Sequence, residues 1–284
     1  MDSVRDLPGF ALRQVAANGI LINVATAGVG QPILLLHGWP HTWFLWRKVM
    51  ASLSGDYRVI APNLRGIGGT TRAADGYDIQ TLSDDAASLL RELDAEDAVS
   101  VGIDAGAPVS WMLAMRHPEQ IRKLVVMESL LGLLPGAEDF LKRGPPWWFG
   151  FHSVPGLAET VVEGHEDAYL DWFFRSGTFG GRGIEPAARD AFVSAYRGRE
   201  ALRCGFEYYR AGPANDQQIG AILETRRVTL PTMAIGGNVV GDTLMRQLQP
   251  ISDDLTGLVI PACGHIIPED QPDRLVALLR EFIG

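Results

Sequence analysis

The 284-residue chain, 46% of it apolar, is long enough for one large α/β domain with an insertion or for two modest domains. Its net charge of −9 offers no basic surface to nucleic acid or an anionic membrane, and no apolar run approaches the roughly 18 residues of a membrane span. The opening Met1-Asp2-Ser3-Val4-Arg5-Asp6 lacks the basic-then-apolar order of a secretory leader. Cys204 and Cys263 lie far apart without metal-ligand spacing, so a cytoplasmic chain with reduced, buried thiols is expected.

Taken in chain order, residues 20–25 and 32–36 are short apolar runs bounded by glycine, as strands are. Residues 43–53 read as a helix and 57–61 as a strand. Leu82, Ala86, Leu89, Leu90 and Leu93 fall at helical spacing within 81–93. A strand at 98–103, a helix at 105–116 and a strand at 123–127 follow. The interval 131–228 has aromatic clusters (Trp147-Trp148-Phe149, Trp172-Phe173-Phe174, Tyr208-Tyr209), helix-like segments and no convincing strand. The alternation then resumes with strand 232–235, helix 243–248, strand 256–260 and helix 273–282. Such alternation predicts a mostly parallel central sheet flanked by helices, with the interval as a helical insertion over its carboxyl edge.

Ligands of such sheets bind beyond the carboxyl ends of the strands, so the residues just past each strand matter most. They are His37-Gly38-Trp39-Pro40, Asp104, Glu128 and Cys263-Gly264-His265. Asp104 is centred between Gly102 and Gly106, which permit a sharp strand-to-helix reversal and raise the middle residue into the open. A carboxylate there is either a turn residue and helix cap or a nucleophile that forms an alkyl ester for water to cleave. A backbone turn, a nucleophile, an acid and a base at four strand ends favour the catalytic reading. Cys263, two residues before His265, is read as a buried thiol rather than a reactive one.

With these motifs the chain resembles the α/β-hydrolase fold, in the branch of epoxide hydrolases and haloalkane or haloacetate dehalogenases. His37-Gly38-Trp39-Pro40 is similar to that family's oxyanion loop, often with a cis peptide bond before the proline. Gly102-Ile103-Asp104-Ala105-Gly106 is similar to its nucleophile elbow, and Gly264-His265 to the loop bearing the general base. Phe206-Glu207-Tyr208-Tyr209-Arg210-Ala211 resembles the cap motif whose tyrosine polarises an epoxide. The resemblance implies a core of residues 1–130 and 229–284 with a helical cap of 131–228. It implies Asp104 as nucleophile, His265 as base, and the amides of Trp39 and Ala105 as oxyanion hole. The acid orienting His265 is Glu128 or Asp242; Glu128 is favoured because it directly follows its strand, whereas Asp242 begins a helix, where capping explains it. Tyr209 is the first donor to the epoxide oxygen, with Trp148 or His152 as its partner and Tyr208 able to exchange with it. His37 and Trp39 are also placed among the substrate contacts.

Haloalkane dehalogenases usually carry tryptophan after the nucleophile, and haloacetate dehalogenases carry arginines there to hold the substrate carboxylate. This chain has Ala105 and Pro108. The resemblance therefore implies a cofactor-free, metal-free epoxide hydrolase acting on an apolar small molecule, without nucleic-acid or membrane partners and with a homodimer allowed. Dehalogenation is the alternative. A binder on the same fold is a third reading, disfavoured because nucleophile, base and acid are all present.

Overall fold

The computed structural model describes residues 9–142 and 144–284; the N-terminal segment read above for a leader lies outside them. Eight strands form one sheet: β1 (Phe10–Ala17), β2 (Ile20–Ala27), β3 (Pro32–Leu36), β4 (Arg58–Pro62), β5 (Ala98–Ile103), β6 (Ile121–Met127), β7 (Thr232–Gly236) and β8 (Leu255–Val259). Their spatial order is β1-β2-β4-β3-β5-β6-β7-β8. β2 pairs antiparallel with β1 and β4, whereas β3 to β8 run parallel. The winding reverses at β3, which has β4 on one side and β5 on the other. A crevice opens at such a reversal, beyond the carboxyl ends of the two diverging strands.

β1 was not among the expected strands. Phe10 and Leu12 share one parity and Val15 the other, so its alternation is broken. The missed signal is the two-residue Asn18-Gly19 turn, with φ of 47° and 76°, because paired positive φ values suit the twist of a tight hairpin. The helix expected from residue 43 instead begins as a 3-10 turn at Trp43–Trp46, capped by the Thr42 side chain, before α1 (Arg47–Leu53).

α2 (Ile79–Glu92) and α3 (Gly106–Arg116) pack together. Successive residues of β3 point to opposite faces. Leu34 and Leu36 join Leu82, Leu89, Trp111 and Met112 in one buried cluster, and Ile33 and Leu35 join Met50, Leu53, Leu275 and Leu279 in the other. Burial on both faces explains why β3 and β5 read as continuous apolar runs.

Between β6 and β7 lie α4 (Glu138–Leu141), α5 (Trp147–Ser153), α6 (Leu157–Val162), α7 (Glu166–Ser176), α8 (Pro186–Ala195), α9 (Arg199–Arg210) and α10 (Gly212–Leu223), with no strand among the described residues. After β7 come α11 (Thr243–Leu248), α12 (Ile267–Asp270) and α13 (Pro272–Ile283). The inserted helices share the second cluster, where Phe173, Phe174, Phe192 and Phe206 pack with Trp39. Two of their tyrosines donate to core loops: Tyr196 Oη to the His41 carbonyl at 3.1 Å and Tyr208 Oη to the Arg65 carbonyl at 2.7 Å.

Candidate active site

Asp104 follows β5 with φ of 52°, in the left-handed region, and its N–H donates to the Met127 carbonyl at 3.1 Å. A Cβ on Gly102 would lie 2.1 Å from the Gly106 carbonyl oxygen, and one on Gly106 would lie 2.4 Å from that of Leu36. Both glycines are therefore required by close backbone approach. The turn they allow brings Asp104 to the loop after β3, where the Trp39 N–H donates to Asp104 Oδ1 at 2.8 Å. The Trp39–Pro40 peptide bond is cis.

Asp104 Oδ2 lies 3.1 Å from His265 Nε2, and Glu128 Oε2 lies 3.1 Å from His265 Nδ1. Glu128 directly follows β6, is fully buried, and also accepts the N–H groups of Gly237 and Val240 in the loop after β7. Asp242 is elsewhere. It is exposed at the start of α11, makes no side-chain cap bond, and pairs with Arg246 at 3.0 Å.

Burial alone would lower the pKa of His265, but hydrogen bonds and charge from Asp104 and Glu128 outweigh it and raise the value to about 10. For Asp104, burial opposes the charge. The His265 contact and the amides of Ala105 and Trp39 prevail and hold its pKa below the ordinary carboxylate value. The resting site is thus an imidazolium between two carboxylates.

The other residues singled out from sequence fall differently. His37 directly follows β3. It is fully buried, Leu64 N–H donates to its Nε2 at 3.1 Å, and its Nδ1 meets the Gly38 carbonyl at 2.8 Å. Burial pushes its pKa down to about 4, and with both nitrogens committed it ties two loops together. Tyr208 gives its only proton to the Arg65 carbonyl. The Trp148 ring packs against Trp147, Phe149, Trp172 and Phe173, and the Phe149 ring meets Tyr209 at 5.6 Å. Tyr209 lies edge-on to Trp39 at 5.6 Å between centroids, and among the described residues its hydroxyl has no hydrogen-bond partner. His152 sits beside both and is fully buried.

Among the described residues no cluster of His, Cys, Asp and Glu could hold a metal ion, and no helix is long and apolar enough to cross a membrane. Both cysteines are free and buried, and burial pushes the Cys263 thiol up to about 12.

Residues 31–165 match a family model described as the alpha/beta hydrolase fold. The crystal structure of wild-type Cfl2 from Burkholderia cenocepacia superposes with a TM-score of 0.89 at 29% identity, covering 98% of this chain and 97% of the other. This chain has the α/β-hydrolase fold. Over the same framework it is 26% identical to a soluble epoxide hydrolase of Corynebacterium sp. strain C12, across 95% of this chain and 96% of that one. It is 25% identical to a fluoroacetate dehalogenase of Burkholderia sp, across 97% and 94%.

Two residues escaped the reading from sequence. Tyr169, on α7, has its hydroxyl 2.5 Å from His152 Nε2. Asp270, at the end of α12, accepts N–H bonds from Gly264 and from Phe179 of the insertion, each at 2.7 Å, and pairs with Arg182. Neither follows a strand, so the rule that found Asp104, Glu128 and His265 passes over them. The faint signal for Tyr169 was its i, i+4 spacing to Phe173 on one helix face.

Proposed function

We propose that this protein is an epoxide hydrolase that opens an apolar epoxide to a vicinal diol through an ester on Asp104. The observation that carries the reading is His265 held between Asp104 and Glu128, with Asp104 Oδ1 already on the Trp39 amide and the free Tyr209 hydroxyl nearby. Asp104 Oδ2 attacks a ring carbon, the carbon–oxygen bond breaks, and its electron pair stays on the oxygen, which takes the Tyr209 proton. Forming the ester removes the Asp104 charge that helps to hold His265 protonated. The imidazolium then loses its proton, which returns through solvent to the Tyr209 phenolate, and neutral His265 is ready as a base.

Neutral His265 next takes a proton from water, and the hydroxide adds to the ester carbonyl carbon. The amides of Trp39 and Ala105 stabilise the oxyanion. Collapse expels the diol, whose second hydroxyl takes the acid proton left on Asp104. The cycle ends as it began, with one water oxygen in Asp104. Glu128 orients His265 and stabilises its charged form, the part an acid plays in other triads. The core of 1–130 and 229–284 supplies this machinery, and the 131–228 cap supplies Tyr209 and an aromatic lining suited to apolar epoxides. Two free buried thiols fit a reducing, cytoplasmic setting.

Dehalogenation would use the same aspartate, and a full-length relative carries that name. A haloacid also needs a cation for its carboxylate. α3, which begins beside Asp104, has none before Arg116 at its far end. Single-turnover reaction with styrene oxide in heavy-oxygen water separates the readings. The expected result is styrene diol with label incorporated into Asp104. Halide release from a haloacetate without diol formation makes it a dehalogenase, and saturable binding without turnover makes it a binder. In the same assay Glu128→Gln accumulates the ester, with kcat lowered by about 10^3–10^4-fold, whereas Asp242→Asn turns over as wild type. The reverse pattern sinks the assignment of the acid.

A further inference from the structure

Gly205 stands inside α9, one helical turn before Tyr209 and on the same face. Glycine there weakens a helix relative to alanine, so its place calls for a packing reason. A Cβ on Gly205 would lie 2.8 Å from Tyr196 Cε1 and 3.0 Å from Trp39 Nε1. Gly150 on α5 and Gly212 and Gly220 on α10 would each admit a Cβ with nothing within 4 Å. The backbone of α9 thus closes directly on two rings, both of them buried. The Trp39 indole N–H beside it is buried without any acceptor. Such orphans are rare, so hydrogen bonding does not explain the orientation of this ring. Packing against α9 does.

Both rings are anchored in the loop after β3. Trp39 belongs to that loop, and Tyr196 Oη donates to the His41 carbonyl at 3.1 Å. The His41 N–H donates to the Gly38 carbonyl at 2.9 Å, which closes the turn around Trp39 and Pro40. From this turn the Trp39 N–H reaches Asp104 Oδ1 at 2.8 Å. Pressure on the two rings is therefore pressure on that amide. Small shifts matter, because donors to an oxyanion act within about 2.7–3.1 Å.

We propose that Gly205 is a positioning residue for the second half of the reaction: by admitting α9 against Trp39 and Tyr196, it sets the Trp39 amide where the oxyanion forms. The inference rests on the epoxide reading above. As Asp104 Oδ2 bonds to carbon, negative charge leaves the carboxylate and the amide bond to Oδ1 weakens, so a displaced amide does not slow that step. His265 then takes a proton from water, the hydroxide adds to the ester carbonyl carbon, and the carbonyl electron pair moves onto Oδ1. The amides of Trp39 and Ala105 must hold that charge, so a displaced amide slows this step. Gly205 touches no reacting atom and acts through Trp39.

The test is single-turnover kinetics with styrene oxide, following ester formation and ester hydrolysis separately, for wild type, Gly205→Ala, Trp39→Phe and the double variant. Gly205→Ala is expected to slow ester hydrolysis by roughly ten- to a hundredfold, with ester formation within about threefold of wild type. Trp39→Phe removes the indole nitrogen that the added methyl would meet and leaves room for Tyr196 to tilt. In the double variant, hydrolysis is therefore expected to recover to within about threefold of Trp39→Phe alone. Ester hydrolysis at the wild-type rate in Gly205→Ala overturns the proposal. So does slowing confined to ester formation, which places the effect at Tyr209. Equal slowing of both steps, with a lowered Tm and no recovery in the double variant, marks simple loss of packing and also overturns it. A wild-type enzyme that never forms the ester overturns the epoxide reading instead, so the two failures are told apart.

Discussion

Both carboxylates that flank His265 belong to residues with positive φ, 52° at Asp104 and 43° at Glu128. A residue with a Cβ is strained there by roughly 1–2 kcal/mol, and glycine is not. Asp104→Ala and Asp104→Gly both remove the nucleophile, so both are expected to be inactive. Only the second relieves the backbone, and it should be more stable by about 1 kcal/mol in urea unfolding. His265 sets a pH dependence of its own. Its pKa of about 10 lies above the ordinary 6.5, so its protonation stabilises the fold in full below pH 6.5 and is lost as pH rises through 10. Between those limits wild type should lose more stability than His265→Gln, measured by unfolding at fixed temperature. Asp104, Glu128 and His265 were legible because each follows a strand end in a parallel sheet, where side chains converge. The engagement of Tyr169 with His152 was not, because α5 and α7, with α6 between them in the chain, bring together side chains that no local pattern couples.

The inserted helices are held to the core at the loops that bear the candidate chemistry. Tyr196 docks on the carbonyl of His41, just past the Trp39 turn, and Tyr208 on that of Arg65. Asp270 joins Gly264, next to His265, to Phe179 and Arg182 of the insertion, and the Ile266 N–H donates to the Gly177 carbonyl at 3.0 Å. Asp270→Asn should therefore loosen both sides together. Amide exchange is expected to rise at Gly264 and Phe179 in concert, and kcat to fall by roughly ten- to a hundredfold through misplacement of His265. Unchanged exchange at Phe179 would show that the two segments are not coupled through this carboxylate. At this scale the sequence was read well where burial on both faces wrote unbroken apolar runs, as in β3 and β5. It was read poorly in β1, a strand at the sheet edge with mixed exposure that blurs the period.

Across the whole molecule a net charge of −9 surrounds a site expected to take neutral substrates. Screening by salt alters the approach of ions, not of uncharged molecules. For styrene oxide kcat/KM should change less than about twofold between low and roughly 0.3 M salt, whereas an anionic haloacid would be admitted faster as salt rises. The class of fold was legible at this scale because strand–helix alternation admits few architectures. The reversal of winding at β3 was not, since lateral strand order leaves no local trace in a chain.

The glycines of the nucleophile turn also divide the labour of heredity. Gly102 and Gly106 are fixed by backbone a little over 2 Å from any added carbon, while the side chain between them is partly exposed and meets only the Trp39 amide and His265. Shape is thereby stored at positions that tolerate no drift, and reactivity at one that does. Replacing that one residue would exchange the attacking atom and keep the amides, base and acid, so the turn admits a different chemistry without a different fold.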